Sequence, residues 1–177
     1  AWFVLPGLRE TDYKITPTVA SNDLTVTITH ADGTTPSTTR PLWFVINNTW
    51  RAVTAALYIT LADNTNWFNA GSAELGTWAI DYFPMVAWVA ADSAVAIGLS
   101  RIPYGTLGSD FSATSTNEKY AAWKKGSDSA VTVASTDDVQ VIGRFAAILS
   151  LSGTGHLWTV PTFTSNNLVQ YPIYETR

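Results

Sequence analysis

The clearest periodicity in the chain is the strict alternation Leu24-Thr25-Val26-Thr27-Ile28-Thr29, which places Leu24, Val26 and Ile28 on one face of a β-strand. Asp32-Gly33 supplies residues that tolerate positive φ, and the Thr-, Ser- and Pro-rich stretch 34–41 reads as a loop. Leu42-Trp43-Phe44-Val45-Ile46 forms a second strand, closed by the turn signal Asn47-Asn48 before β-branched and aromatic residues resume from Trp50 to Leu61. A hairpin is the expected outcome.

Thr77 to Val89 is a long apolar run interrupted at Pro84, where a bulge or kink is expected because proline cannot donate to a ladder. Ala94 to Ser100 follows after a connection short enough for another hairpin. Further strand signals come at Ala130–Val133, Asp138–Ile142, Arg144–Leu149, Leu157–Val160 and Leu168–Val169, while Lys119–Trp123 is the best short-helix candidate. No helical period long enough for βαβ units intervenes. The pattern predicts an all-β fold: an antiparallel β-sandwich or jelly-roll-like barrel with at most one short helix. Residues 1–16, with an apolar opening turned at Pro6-Gly7, are expected to be an N-terminal arm or edge strand, and 17–177 a single β domain.

Composition sharpens this picture. Charged residues are 14% of the chain, against roughly 25% in an ordinary soluble domain. Thr, Ser, Asn and Ala take their place, and eight Trp, seven Tyr and seven Phe add area suited to cores and interfaces. Much of the exterior is therefore expected to be covered by other chains. The net charge of −4 gives nucleic-acid binding no electrostatic support, and Lys124-Lys125 reads as a solvated loop tip. With no cysteine, disulfides, thiolate metal sites and a cysteine nucleophile are excluded. The longest apolar stretch, Tyr82 to Ala91, is about half of what a membrane span needs and contains a proline. A chain without an initial Met or a basic leader is expected to be a fragment or a processed product.

Candidate chemistry is sparse. His30 ends a strand beside a turn, and His156 lies in Ser152-Gly153-Thr154-Gly155-His156, without the strand-to-helix setting of a nucleophile elbow. Glu74 and Asp81 are the carboxyls to inspect for glycosidase chemistry, although alternation lets Asp81 point to solvent while its apolar neighbours point inward. Asp63-Asn64-Thr65-Asn66 and Asp137-Asp138 carry oxygen ligands but lack the calcium-loop spacing, so polar turns are the better reading. No catalytic residue, metal ligand or cofactor is expected. Among Trp43, Trp50, Trp67, Trp78, Trp88, Trp123 and Trp158, the polar context of Trp67 and Trp123 makes them the candidate glycan contacts. Trp2, Phe3, Leu5 and Leu8 of the apolar opening are the candidate oligomer interface.

The segments Asn66–Leu75, Gly98–Tyr104, Asp110–Tyr120 and Tyr171–Arg177 resemble stretches in virion proteins of tailed bacteriophages and environmental viral sequences, over roughly residues 15 to 177. The resemblance implies a tail-fibre, appendage or capsid-decorating protein, assembled in the bacterial cytoplasm and located in the virion. It also implies a homo-oligomer, a trimer as in such appendages, with other virion proteins as partners and a chain that continues past Arg177. It transfers no catalytic residue. Two other classes fit the residues: a carbohydrate-binding attachment module contacting host-surface glycan, and a self-assembling surface filament subunit whose Ala1–Leu8 arm pairs with a neighbour's sheet edge.

Overall fold

The computed structural model describes residues 13–21, 23–61, 76–100, 123–126, 129–131, 133, 138–152, 155–159 and 168–170. Within them lie thirteen strands: β1 (Tyr13–Ala20), β2 (Asp23–His30), β3 (Leu42–Ile46), β4 (Thr49–Val53), β5 (Leu57–Leu61), β6 (Gly76–Val89), β7 (Ala94–Ser100), β8 (Trp123–Lys125), β9 (Ser129–Val131), β10 (Asp138–Val141), β11 (Gly143–Ser152), β12 (Gly155–Thr159) and β13 (Leu168–Gln170). The one helical element among the described residues is a single 3-10 turn, Ala90–Asp92, between β6 and β7. Every strand pairing is antiparallel, so the chain is all-β, as the alternation predicts.

Two layers enclose one main core. A three-stranded sheet ordered β1-β2-β5 and the β3-β4 hairpin face an eight-stranded sheet built along β12-β11-β6-β7-β8-β9, with β10 on β6 and β13 on β11. Strands β1, β2 and β5 are apolar on one face only, whereas β3 is apolar on both. Ile15, Leu24, Val26, Ile28, Leu42, Phe44, Ile46, Leu57 and Ile59 are essentially inaccessible, and they pack with Tyr82, Val86, Val95, Ile97, Leu99, Ile142 and Phe145 of the second layer. Tyr13 meets Phe44 edge-on at 5.7 Å between ring centroids, and Tyr82 stacks on Phe145 at the same separation.

The continuous apolar run of β6 has a different cause. Tyr82 and Val86 point into the main core, whereas Met85, Ala87 and Val89 form a second buried cluster with Ala96 of β7, against which Val131, Val139 and Val141 pack. A strand buried on both faces has no polar positions to alternate with.

Pro84 sits inside β6 without interrupting it, and the irregularity falls on the partner strand instead. Met85 faces Val141 and Tyr82 faces Phe145, so residues 142–144 oppose only 83 and 84: a β-bulge. Ile142 N donates to the Pro84 carbonyl at 2.9 Å. Because a strand residue's N and C=O project to the same side, the donor that Pro84 lacks would have pointed at the bulge, where no regular partner is required. The Tyr13 phenol then donates to the Ile142 carbonyl at 2.5 Å, tying the first layer to the bulge. A second tie runs from Gln170 of β13, whose amide donates to Tyr13 O at 2.9 Å and accepts from Ile15 N at 2.8 Å. The side-chain amide stands in for a neighbouring peptide and closes part of the edge of β1 against further pairing.

β1, which runs on past residue 16, is an edge strand whose Tyr13 and Ile15 are core residues. Other expectations need correction. Trp50–Leu61 is two strands, split at residues 54–56, because the chain crosses there from the hairpin to the β1-β2-β5 sheet. Lys124-Lys125 belongs to β8, opposite Ile97 and Ala96, and is not a loop tip; Trp123 starts that strand and does not end a helix. Residues 119–122 lie outside the described set.

Candidate functional site

The β3-β4 hairpin carries the most distinctive surface among the described residues. Asn47 and Asn48 both occupy the left-handed region, with φ of 50° and 58°. Asn tolerates that region better than other side chains, and a two-residue turn of this kind matches the twist of the strands it joins. The turn fixes the register: Ile46 faces Thr49, Val45 faces Trp50, Phe44 faces Arg51, Trp43 faces Ala52 and Leu42 faces Val53.

That register sorts the side chains into two apolar faces. Leu42, Phe44, Ile46 and Val53 turn inward and are buried. Trp43, Val45, Trp50 and Ala52 turn outward, and among the described residues Trp43 and Trp50 are the exposed large hydrophobic ones, each 37% accessible. They lie diagonally across the two strands, a separation of roughly 7–8 Å at the backbone, within reach of large aromatic side chains.

Charge is absent from this outer face. Between Arg40 and Asp63 the only charged residue is Arg51. Facing Phe44, Arg51 is on the inner side, and its guanidinium lies 4.1 Å from the ring centroid of the half-buried Trp88. The cation is thus held against an aromatic face within the sandwich. The outer face of the β1-β2-β5 sheet is also largely neutral: Thr16, Thr18, Thr25, Thr27, Tyr58 and Thr60 alternate with core residues, and the Thr25 and Thr60 hydroxyls meet at 3.1 Å. Among the described residues only Lys14 and Asp23, near opposite ends of the strands, bring charge to that side.

The connection into β3 is held by its own polar network. Arg40 pairs with Asp32 at 2.8 Å, Thr34 N donates to Asp32 Oδ1 at 2.9 Å, and Ser37 N donates to Arg40 O at 3.0 Å. Hydrogen bonds from Thr34 first, then the Arg40 guanidinium, hold the Asp32 carboxyl well below the usual carboxylate range. His30 Nε2 lies 3.1 Å from the Arg40 carbonyl, which can only accept, so Nε2 carries the proton.

The residues singled out from sequence fall mostly elsewhere. Trp2, Phe3, Leu5, Leu8, Trp67 and Glu74 lie outside the described residues, as do Asp63–Asn66 and Asp137. Trp123 pairs with Val131 in the backbone ladder of β8 and β9, and Asp81 is opposite Ala146 in the centre of the large sheet. His156 is in β12, opposite Leu151. No group of three or more His, Asp or Glu that could hold a metal ion occurs among the described residues. No helix among them is long and apolar enough to cross a membrane. Polar neighbours point to Trp67 and Trp123 as the exposed tryptophans, and that signal does not find Trp43 and Trp50, whose sequence neighbours are largely apolar. The better signal was the alternation Leu42-Trp43-Phe44-Val45-Ile46, which assigns Trp43 to the face opposite Leu42 and Phe44.

Compared with known family models, curated proteins and solved structures, the chain matches none. The chemistry available to the site is therefore read from its residues alone: apolar stacking and amide or hydroxyl hydrogen bonding, with no titratable group on the outer face.

Proposed function

We propose that this chain is a non-catalytic structural component of a tailed-phage virion, a tail-fibre, appendage or capsid-decorating protein that works by protein–protein assembly. The observation that supports this most is the broad neutral outer side of the first layer, where Thr, Tyr and Trp side chains replace the charges that keep a free monomer's surface solvated. The resemblance to tailed-phage virion proteins points to the same particle, with copies of itself, as a trimer, and other virion proteins as partners, and with no cofactor. Mass spectrometry and labelled imaging of purified particles test the reading: the chain is expected in stoichiometric amounts in intact virions. Its presence only in the soluble fraction of infected cells refutes it. A saturable hydrolysis of bacterial polysaccharide, abolished by Glu74→Gln or Asp81→Asn, refutes the non-catalytic part.

A second reading is favoured by one observation. Trp43 and Trp50 form a neutral aromatic pair with Asn47, Asn48 and Thr49 exposed at the hairpin tip, a combination that suits the apolar face and hydroxyls of a sugar. Binding of a neutral oligosaccharide on a glycan array, lost in Trp43→Ala and Trp50→Ala, is the result expected of an attachment module.

A further inference from the structure

We propose that β13 is a latch on self-pairing: docked, its Gln170 amide occupies the edge of β1, and released, it opens that edge to β1 of a second copy of this chain. The latch does not depend on the virion reading, since it follows from one sheet edge.

β1 is an edge strand of the three-stranded sheet, paired on one side with β2. The peptide groups of successive strand residues point to opposite sides. Ile15 N and Tyr13 O are bonded by Gln170, so Tyr13, Ile15, Pro17 and Val19 direct their peptide groups to the edge, while Lys14, Thr16 and Thr18 direct theirs to β2. The Gln170 amide accepts from Ile15 N at 2.8 Å and donates to Tyr13 O at 2.9 Å, bracketing Lys14 as one residue of a parallel strand would. A strand laid on this edge needs the Ile15 donor, so the amide and an incoming strand exclude each other. At the next edge position Pro17 supplies no donor, and Lys14 is exposed on the outer face. Proline and lysine are guards that natural sheet edges commonly carry, and both are permanent. Gln170 is a conditional one: it comes from the other layer, 155 residues along the chain from Ile15. It is in place while β13, three residues long, stays paired with Gly143, Arg144 and Phe145 of β11. So short an element opens locally at less cost than global unfolding.

The residue order of the edge selects the strand it admits. Ile15-Thr16-Pro17-Thr18-Val19 reads almost the same in both directions about Pro17. Two copies of β1 laid antiparallel about a twofold axis at Pro17 set Ile15 of one against Val19 of the other and Thr16 against Thr18, which are favourable cross-strand pairs. Lys14 then meets Ala20, so like charges do not face each other. Ile15 and Val19 lie on the inner side of the sheet and the threonines on the outer, and both faces continue across the contact. The peptide groups of Ile15 and Val19 exchange hydrogen bonds in this register, and the Pro17 pair leaves a gap between them.

The test uses the purified full chain as wild type, Gln170→Leu, Gln170→Glu and Tyr13→Phe. The glutamate keeps an acceptor for Ile15 N and loses the donor to Tyr13 O; Tyr13→Phe loses a bond to the large sheet and keeps the Gln170 contacts. Amide exchange read by NMR and sedimentation velocity are followed across concentration. In dilute Gln170→Leu the Ile15 amide is expected to exchange at least about tenfold faster than in wild type, the effect of losing one hydrogen bond. At higher concentration the variant is expected to form a species of twice the wild-type mass, with protection returning at Ile15 and Val19. Gln170→Glu is expected to change in the same direction and carries the test if Gln170→Leu does not fold. Adding Pro17→Thr to either variant supplies the missing donor and is expected to lower the dissociation constant at least about tenfold. Adding Thr18→Lys puts lysines diagonally across the axis and is expected to abolish the association. Unchanged Ile15 exchange in both Gln170 variants overturns the proposal, as does a wild-type mass at every concentration even with Pro17→Thr. So does an association that Tyr13→Phe reproduces or that Thr18→Lys leaves intact.

Discussion

Replacing Tyr13 by Phe removes one oxygen and leaves the ring edge-on to Phe44, so the substitution isolates the hydrogen bond from Tyr13 to the Ile142 carbonyl. That carbonyl sits at the bulge, where the ladder with β6 has slipped by one residue, and Ile142 is fully buried. Stripping a donor from a buried acceptor costs about 1–3 kcal/mol, more than the net worth of an ordinary exposed hydrogen bond. For a chain of this length each kcal/mol lowers Tm by about 2–4 °C, so Tyr13→Phe is expected to melt roughly 2–12 °C below wild type. Tyr13→Ala also removes the ring and costs about 3–5 kcal/mol. Gln170→Leu releases Tyr13 O and Ile15 N at the same strand and should be non-additive with Tyr13→Phe, since both hold one segment of β1 to the large sheet. Thermal and urea melts followed by Trp fluorescence measure all four. A Tyr13→Phe protein melting within about 1 °C of wild type with an unchanged urea slope would refute the role given to the bulge contact.

Three other outcomes follow from the hairpin and its approach. Asn48→Ala keeps a β-carbon in the left-handed region at φ 58° but loses the side-chain amide that lets Asn adopt it, and is expected to cost about 1–2 kcal/mol, whereas Asn48→Gly is tolerated; equal melting temperatures for the two count against the turn assignment. Arg51→Ala removes the guanidinium from Trp88 and is expected to cost about 1–2 kcal/mol and to change Trp emission, and an unchanged emission spectrum contradicts the stacking. Asp32 is held ionised by Thr34 and Arg40, so its folded value lies below the ordinary 3.8. Its contribution to the loop is present above the unfolded value and is lost only as pH falls through the lower folded one. A carboxyl carbon resonance that titrates near 3.8 in the folded chain excludes this network.

A strand with one buried face can be read from residue order where polar positions mark the other: β2 begins and ends within a residue of the alternating segment 24–29, whereas β3 is legible as the short apolar run 42–46 closed by Asn47-Asn48. β1 was obscured by Lys14, Thr16 and Thr18 on its outer face and by Pro17 within it, although Tyr13, Ile15 and Val19 keep the period. β8 has three residues, too few for any period, and is defined by its pairing with β7. Pro84 announced an irregularity but not its place. A proline reveals the donor it lacks, and the structure places the compensation on whichever neighbour that donor would have met. The site was legible only in part for a related reason: Trp43 and Trp50 sit among apolar residues, and composition alone assigns such neighbours to the core.

The hairpin raises a question of register that hydrophobicity cannot answer. A slip of one residue exchanges the two faces of a strand, and it is normally forbidden because it would bury polar side chains. In β3 both faces are apolar, so a slipped strand would bury Trp43 and Val45 in place of Leu42, Phe44 and Ile46 without burying a polar group. Two features break the tie. The Asn47-Asn48 turn permits two left-handed residues in succession and so sets which residues face each other. Arg51, opposite Phe44, finds a ring at 4.1 Å only when its own face is inward; slipped outward, it would leave Trp88 and place a charge in the middle of the Trp43–Trp50 face. The same arginine therefore fixes the inner packing and keeps the outer face neutral. Register, stability and the neutrality of the outer face are set together by one turn and one inward-facing cation.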